Sequence, residues 1–451
     1  MALSGIKILL TIAQSSYSSA AQIYVVTIYK MPFASYIRLF TSQGRLLSFG
    51  FVMSFSSSFG QTYFIGIFGP AIQTEFGLSH TLWGTIYLIG TLASATVFPW
   101  SGALIDRFSL PRYTLFVGLL LIVACVFTSL TAGVTSLIIA IFLLRQSGQG
   151  LASHISITTM ARYFDTQRGR AIAVATMGFA AGEALLPFLA VASISVIGWR
   201  WTYGVTSILL GLALLPLALW LLRGHHHRHH QHSHRTKNER KNVETPTAAV
   251  SWTRPEVLRD RRFYLLLPGL LAPSVISTAL FFHHLNLADA KGWSHAWVTG
   301  NYVIYATCAV LTALAAGPLI DRFRAVRLVP FAFLPLVLGL ALVSIFHSPG
   351  TVLPYMLLIG VNSGLVHTTT SAMWPELYGV KHLGAIKSLG TSITVFGSAL
   401  GPVTLGGLMD IGVSIESVCL LFAGYSIVGG ALMFVALRGS LEKFIRPVRP
   451  V

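Results

Sequence analysis

A short motif that occurs twice constrains the fold of this chain more than any other feature. Gly-x-Leu-Ile-Asp-Arg-Phe begins at Gly102 and begins again at Gly317, 215 positions later. Each copy closes a long apolar run and is followed by a further arginine. A turn that carries an aspartate and arginines can bridge the ends of neighbouring helices, and its glycine lets helices approach closely. We therefore assign a gating role to both copies, whose residues are Gly102, Asp106, Arg107, Arg112, Gly317, Asp321, Arg322 and Arg327.

The same offset extends beyond the motif. Tyr163 and Tyr378 are also separated by 215 positions, and the Gly-x-x-x-Gly pair that begins at Gly178 returns at Gly397 with a shift of four residues. A fixed period of this kind indicates internal repeats. The chain is therefore predicted to fold as two related halves, and a site between two parallel halves is typical of one large class of transporters.

The composition places these halves in a membrane. Hydrophobic residues make up 54% of the chain, charged residues make up 10%, and the mean hydropathy is +0.71. A soluble domain carries roughly 25% charged residues. The net charge of +17 lies in the loops between apolar runs, so nucleic acid is not an expected partner. Cys125, Cys308 and Cys419 lie in separate apolar runs and predict neither a disulfide framework nor a metal site.

Twelve apolar segments are long enough to cross a bilayer, which takes roughly 20 residues of helix. We predict an all-α membrane protein with two pseudo-symmetric six-helix bundles, at 46–222 and 263–437. The predicted segments are 46–69, 82–105, 113–132, 136–160, 170–197, 202–222, 263–287, 297–320, 327–347, 351–374, 384–409 and 413–437.

The distribution of lysine and arginine predicts the orientation of these helices. With the N-terminus placed in the cytoplasm, 28 of the 31 basic residues fall in cytoplasmic segments. Arg200 and Lys291 fall outside, and Arg145 lies within a helix. Cytoplasmic loops of membrane proteins carry an excess of this kind. We expect a multi-pass protein of the cytoplasmic (inner) membrane with both termini in the cytoplasm.

Three segments lie outside the bundles. Residues 1–45 are expected to be a disordered cytoplasmic tail or a mis-called start, with translation beginning near Met31, and 438–451 form a second tail. Residues 223–262 join the halves as a basic, His-rich cytoplasmic linker, which we interpret as disordered apart from an interfacial helix at 252–262. Histidine clusters can bind metal, so weak metal affinity is expected at His225, His226, His227, His229 and His230.

Together these features resemble the major facilitator superfamily over about residues 46–437. The loop motif Gly-x-Leu-x-Asp-Arg-x-x-x-x-Arg is typical of that family, and the stretch from Arg145 to Gly150 is similar to its fourth-helix element. The stretch from Gly178 to Gly182 resembles its glycine-rich fifth-helix motif. Glu183 stands where proline is usual, which weakens a link to the antiporters that carry that motif. The sequence Trp199-Arg200-Trp201 is typical of bacterial members.

The resemblance implies a secondary transporter, coupled to protons or to a solute, that works by rocking of two six-helix bundles. Helices 1, 4, 7 and 10 of such folds line a central cavity, and the substrate sits near the midplane. The sequence shows no nucleotide-binding loop and no catalytic or metal-ligand constellation. We therefore expect neither an enzyme nor a bound cofactor.

Two charged residues lie deep within predicted helices. Arg145 lies ~14 Å from the outer end of helix 4 and Glu183 ~20 Å from the inner end of helix 5, at 1.5 Å per residue. In a core ~30 Å thick these depths nearly coincide, so an ion pair is geometrically possible. An ionisable residue at this depth is a functional candidate: Arg145 would bind an anionic substrate or modulate Glu183, which would carry the coupling proton. The alternative is a static pair that fixes the two helices.

Polar residues on several helices are further candidates for substrate contact. Such residues can equally form interhelical hydrogen bonds, and that alternative stays open for each of them. Carboxylate transporters of the family often hold a basic residue in the second half, where Lys387 is the candidate, although it can also be an ordinary lysine at a cytoplasmic helix end. The other candidates are Gln149, Gln61, Tyr63, His283, His284, Asn362 and His367.

The sequence thus predicts a secondary active transporter of a small organic solute in the lipid bilayer. We favour an organic anion such as a monocarboxylate, moved with protons by a monomer, because Arg145 is the only deep cation. One alternative is a proton-coupled exporter of amphipathic drugs. Another is a non-transporting sensor whose His-rich linker responds to metal.

Overall fold

The computed structural model describes five ranges of the chain, and all regular structure within them is helical. Most of the predicted N-terminal tail, the His-rich part of the linker with its five candidate histidines, and the end of the C-terminal tail lie outside the described residues. The described ranges are 39–41, 43–164, 167–223, 252–379 and 381–442.

The first three spanning helices follow one another along the chain with short connections. α1 runs over 43–57, tightens into a 3₁₀ turn at Ser58–Gly60 and resumes at Thr62–Ile67. α2 spans His80–Ala103 and α3 spans Leu110–Ser129. The Ser79 side chain caps α2 by accepting a hydrogen bond from the backbone N–H of Leu82 at 3.2 Å, which satisfies one of the free donors of a helix start.

The next three helices of the first half are irregular. α4 begins as Val134–Leu144, widens into a π-helix at Arg145–Ala152 and ends as Ser153–Tyr163. The stretch Arg168–Leu209 is divided at Gly198, where φ is 77° and ψ is 165°, a conformation that glycine adopts without strain. α5 precedes Gly198, and α6 follows it and ends, after the π turn Leu210–Leu214, with Leu215–Leu221.

The second half repeats the arrangement with fewer interruptions. A short helix at Arg254–Arg259 precedes it, which matches the helix predicted at 252–262. The backbone N–H of Trp252 donates to the carbonyl of Tyr378 at 2.9 Å and fixes this helix to the bundle. The spanning helices are α7 Arg261–Phe282, α8 Tyr302–Phe323, α9 Leu334–Ile345, α10 Val352–Tyr378, α11 Leu383–Asp410 and α12 Ile415–Glu442.

The twelve segments agree with the predicted fold class. Ten helices among the described residues are long and apolar enough to cross a membrane. One of these, Arg168–Leu221, contains both α5 and α6, and α1 with its break adds a further segment. Large apolar side chains cover the outer surface, such as Val196 and Leu212, which are 82% and 78% exposed. Helices of this kind suit lipid because they satisfy their backbone hydrogen bonds internally. The all-α membrane fold is confirmed, and the twelve segments are consistent with two six-helix bundles.

The bundle has two distinct ends, which we name by their loops. The motif end carries the loops that begin at Gly102 and Gly317, and the opposite end carries the turn between α11 and α12. At the motif end, Gly169 and Gly384, near the starts of α5 and α11, have open space beside their Cα atoms. Both glycines are exposed.

The halves touch at the opposite end. A Cβ atom added to Gly84 of α2 would lie 2.7 Å from the backbone of Val403 in α11, and one added to Gly406 would lie 2.4 Å from the carbonyl oxygen of His80. Beside this seam, the Phe282 ring of α7 stacks on Trp83 of α2 with ring centres 5.1 Å apart. The glycines bring the two halves into backbone contact here.

Candidate functional site

A cavity of about 400 Å³ lies in the second half, between the middle of the bundle and the motif end. It is bounded by α7, α8, α10 and α11, and none of its described lining residues is acidic. Many of its lining residues carry a hydroxyl group. They include Ser274, Ser277, Thr370, Ser371, Thr391 and Thr394.

Two basic side chains also line this cavity. His367 lies on α10 and Lys387 lies one turn into α11, and both are exposed. They are close enough to interact electrostatically. Both were candidates from the sequence, and the structure brings them together. Because no described lining residue is acidic, the cavity carries a net positive charge.

Asn362 lines the same cavity and also joins two helices. Its amide nitrogen donates to the carbonyl of Ala332, in the segment before α9, at 2.9 Å. Close to it, a Cβ atom added to Gly360 would lie 2.5 Å from the carbonyl of Tyr305, so α10 and α8 are in tight contact. The Tyr305 hydroxyl donates to Ser363 at 3.2 Å, which fixes the tyrosine at the cavity wall.

Glu183 lies where the two halves meet. Its side chain is 7% exposed on α5, and it is close enough to Tyr63 of α1 and to Tyr302 and Tyr305 of α8 to interact electrostatically. No ion pair within the described ranges involves Glu183. An ionised carboxylate at this depth is costly. Tyr305 lies near this carboxyl group and also lines the cavity.

Arg145 lies inside the first half, between α1, α2 and α4, and is 2% exposed. Its guanidinium donates to the Gly60 carbonyl at 3.4 Å and to the Thr62 hydroxyl at 3.3 Å, and it lies 5.2 Å from the centre of the Tyr87 ring. The break in α1 leaves that carbonyl free to accept. A Cβ atom added to Gly148 would lie 2.6 Å from the Gly60 nitrogen, so the π-helix of α4 rests against the break, and π segments are frequent at functional sites.

The structure does not form the possible ion pair between Arg145 and Glu183. Depth alone suggested it, but depth does not fix the direction of a side chain around its helix. Arg145 is directed at the break in α1 and at Tyr87, and Glu183 is near the tyrosines of α1 and α8. None of the residues that Arg145 contacts lines the cavity. The positive charge at the cavity wall therefore comes from Lys387 and His367.

Three other candidates of the first half surround the same break. Gln61 is buried at the point where α1 resumes. Tyr63 is buried, packs edge-on against Phe179 at 5.7 Å and lies near Glu183. Gln149 is half-buried on the π-helix. Their common location is the contact between α1, α4 and α5 rather than the cavity of the second half.

The two histidines predicted on the seventh helix lie at the opposite end. His283 is buried with Nε2 3.0 Å from the carbonyl oxygen of Pro402 and Nδ1 3.3 Å from Asn286. His284 is buried with Nδ1 2.7 Å from the Tyr302 hydroxyl. Both connect helices within the second half, and neither lines the cavity.

The first motif loop is braced by an ion pair. Asp106 contacts Arg162 at the end of α4, and both side chains are exposed. Gly102 is buried at the end of α2, whereas Arg107 and Arg112 are exposed. The loop after α2 is thereby tied to the end of α4.

The second motif loop uses other residues. Asp321, Arg322 and Arg327 are exposed, and no ion pair involves Asp321 within the ranges that the structure covers. Instead, Glu376 of α10 accepts hydrogen bonds from the backbone N–H groups of Ala325 and Val326 at 2.9 and 3.2 Å. The carboxylate therefore caps the short helix that follows this loop.

The serine and threonine residues that line the cavity were not among the site residues predicted from the sequence. Serine and threonine are common in membrane helices because they can bond to their own backbone, as Thr391 does to the Lys387 carbonyl at 2.9 Å. The spacing of such residues along a helix could have indicated that they share one face. Lys387, Thr391 and Thr394 are spaced i, i+4 and i+7, which places them on one face of α11.

Comparison with known proteins agrees with this architecture. The chain matches the family model of the Major Facilitator Superfamily over residues 50–402 and 301–450. A protein of Bacillus subtilis (strain 168), described as the uncharacterized MFS-type transporter YcxA, is 27% identical over 296 residues, which cover 62% of this chain and 69% of that protein.

Two solved structures share the fold. One is a bacterial homologue of the human lysosomal transporter Spinster, in an inward-facing and occupied conformation, with a TM-score of 0.65 and 14% identity over 94% of this chain and 100% of that one. The other is a variant of the nucleoside transporter NupG, with a TM-score of 0.67 and 14% identity over 87% of this chain and 99% of that one. With the repeated motif, the twelve helices and the family match over most of its length, this chain belongs to the Major Facilitator Superfamily of membrane transporters.

Proposed function

We propose that this protein is a secondary transporter that moves a small organic anion, such as a monocarboxylate, together with protons by alternating access. The observation that carries this proposal is the acid-free cavity that holds Lys387 and His367. Lysine and hydroxyl groups donate charge-assisted hydrogen bonds to carboxylates. A volume of about 400 Å³ suits a small ligand, since such sites typically span about 300–1,000 Å³.

The cations that support an anion preference are those of the second half rather than Arg145. Arg145 is already engaged by the break in α1, whereas Lys387 and His367 line open space. The motif end is proposed to face the cytoplasm of the cell, because 28 of the 31 lysine and arginine residues fall on that side or in the segments beyond it. The cavity would then release its anion inward.

The proposed proton carrier is Glu183. It is buried between the halves beside Tyr63 and Tyr305, and rocking of the halves would change its surroundings. A protonated carboxyl group is tolerated in the closed site, and exposure to water allows the proton to leave. Because Tyr305 also borders the cavity, proton release and substrate release take place in adjoining spaces.

The test uses purified protein in liposomes with an imposed pH gradient. Uptake of radiolabelled monocarboxylates is compared with uptake of the matching uncharged amides. Lys387→Ala should raise KM for the carboxylates about tenfold, the loss of one charge-assisted hydrogen bond. Lys381→Ala is the matched control, because Lys381 is exposed in the turn before α11 and does not line the cavity. Equal uptake of acids and amides, or an unchanged KM in Lys387→Ala, would contradict the anion proposal.

The proton arm uses Glu183→Gln, which mimics the protonated side chain at nearly the same volume. This variant should lose its response to the pH gradient and retain exchange of labelled for unlabelled anion. Normal pH-driven accumulation in Glu183→Gln would rule out this residue as the carrier. Efflux of lipophilic cations without carboxylate flux would favour the drug exporter, and a folded protein that moves no solute would favour the sensor.

A further inference from the structure

Asp410, the last residue of α11, contacts the other half of the molecule. Its carboxylate accepts a hydrogen bond from the backbone N–H of Thr81 at 2.7 Å and another from that of His80 at 3.1 Å. His80 and Thr81 are the first two residues of α2. One carboxylate of the second half therefore caps the start of a helix in the first half.

The physical chemistry of this contact favours a specific, directional bond. The first N–H groups of a helix have no partner within the helix, and the helix dipole makes that end attractive to an anion. Ser79 caps α2 from within its own half by binding the N–H of Leu82. Asp410 binds the two preceding donors, so the start of α2 is satisfied only with the second half in place.

The contact lies on the seam where the halves meet backbone to backbone. Gly84 and Gly406 allow that approach. Every ion pair that the structure describes joins residues of the same half, namely Asp106 with Arg162, Glu75 with Arg200, Asp260 with Arg262, Lys291 with Glu416 and Asp289 with His295. Asp410 is thus a charged group whose hydrogen bonds join the two halves.

We propose that Asp410 is a latch that holds the opposite end of the bundle closed and sets the balance between the two access states. This inference rests on the proposed alternating-access function. Opening of the opposite end separates α11 from α2, so the two hydrogen bonds must be exchanged for bonds to water. Asp410 would act on the position of α2 relative to α11 and not on the substrate, since it contacts the start of α2 and does not line the cavity.

The experiment measures closure at a site remote from the latch. Phe188 on α5 and Gly300, just before α8, face each other across the halves, because a Cβ atom on Gly300 would lie 3.6 Å from the Phe188 ring. Cysteines at these two positions, in a chain with Cys125, Cys308 and Cys419 replaced by alanine, are joined with a short bifunctional thiol reagent in liposomes. The rate of cross-linking reports how often the opposite end is closed.

Asp410→Ala should lower the cross-linking rate about three- to tenfold, and Asp410→Asn, which keeps one acceptor oxygen, should lower it less. Asp289→Asn is the matched control, because Asp289 is an exposed carboxylate at the same end that pairs with His295 of its own half. Its rate should equal that of the parent. Size-exclusion chromatography confirms that each variant is folded and monodisperse.

An unchanged rate in both Asp410 variants would overturn the latch. An equal fall in the Asp289→Asn control would also overturn it, since any loss of charge at this end would then suffice. The assay needs no substrate, so it separates the two proposals. A shifted rate in a protein that transports no anion would retain the latch and reject the proposed function, and normal anion transport with an unshifted rate would do the reverse.

Discussion

In the first half the motif aspartate, Asp106, pairs with Arg162 at the end of α4, whereas in the second half Asp321 is exposed and Glu376 of α10 caps the following helix. Both braces join the same two parts, the loop after the second helix of the half and the end of its fourth helix. Glu376 even lies next to the position that corresponds to Arg162 at the 215-residue offset. The contact has the same place in both halves. The carboxylate that makes it lies on the loop in the first half and on the fourth helix in the second half.

The middles of the two halves also carry different residues at positions related by the 215-residue offset. Arg145 fills the space between α1, α2 and α4 in the first half. The residue 215 positions later is Gly360, which brings α10 against the backbone of α8. An arginine thus fills the position in the first half at which a glycine allows close helix contact in the second half, where the cavity of about 400 Å³ lies. Two halves with one topology can thus divide the work, with the proposed proton carrier on one side and the proposed anion site on the other.

The largest expected effect concerns Arg145. Arg145→Ala leaves the Gly60 carbonyl without this donor and a void between three helices, and should lower the free energy of unfolding by about 2–4 kcal/mol. Because Arg145 and Glu183 do not pair, the double variant Arg145→Ala with Glu183→Ala should show additive effects within about 0.5 kcal/mol. Thermal stability in detergent measures both. A coupling of several kcal/mol would restore the ion pair as a feature of the native state.

The next largest effects should differ between the two motif loops. Glu376→Ala should lower stability by about 1–2 kcal/mol, as the loss of a helix cap does. Asp106→Asn breaks an exposed ion pair and should cost less than about 1 kcal/mol while slowing the transport cycle. Asp321→Asn serves as the matched control and should change neither, since no ion pair involves Asp321 within the described ranges. Equal slowing by Asp106→Asn and Asp321→Asn would show that the two loops act alike.

The smallest effect lies at the opposite end of the first half. Hydrogen bonds from Arg200 and from the Trp199 indole N–H hold the pKa of Glu75 below its usual range. A lowered pKa in the folded state contributes stability above the unfolded value, and that contribution is lost as the pH falls through the folded value. Glu75→Gln should therefore reduce stability by less than about 1 kcal/mol at neutral pH, because the pair is partly exposed.

The check on Glu75 is the pH dependence of that difference. The melting temperatures of the parent and Glu75→Gln should converge as the pH falls below about 4, where the unfolded carboxyl group is protonated. The buried Lys291 and the half-exposed Glu416 form the corresponding pair of the second half, at 3.4 Å. A gap between the curves that persists in acid would assign the loss to packing rather than to charge.

The sequence alone determined the class of the protein and the positions of its helices. The length of an apolar run, its charged ends and a fixed offset are properties of the chain in one dimension, so α2, α3 and α7 to α12 fall close to the predicted segments. It also located most of the polar side chains that matter, including Lys387 and His367. It did not show the break at Gln61 or the π-helix from Arg145, because both depend on what the neighbouring helix offers.

The tertiary structure decided which way these side chains face. The rotation of a helix about its axis is set by contacts between residues far apart in the chain, such as Gly60 with Gly148 and Gly84 with Val403. Those contacts turn Arg145 away from Glu183, shape the cavity of the second half and bring Asp410 onto the start of α2. A linear pattern fixes the depth of a residue in the membrane, and only packing fixes its direction.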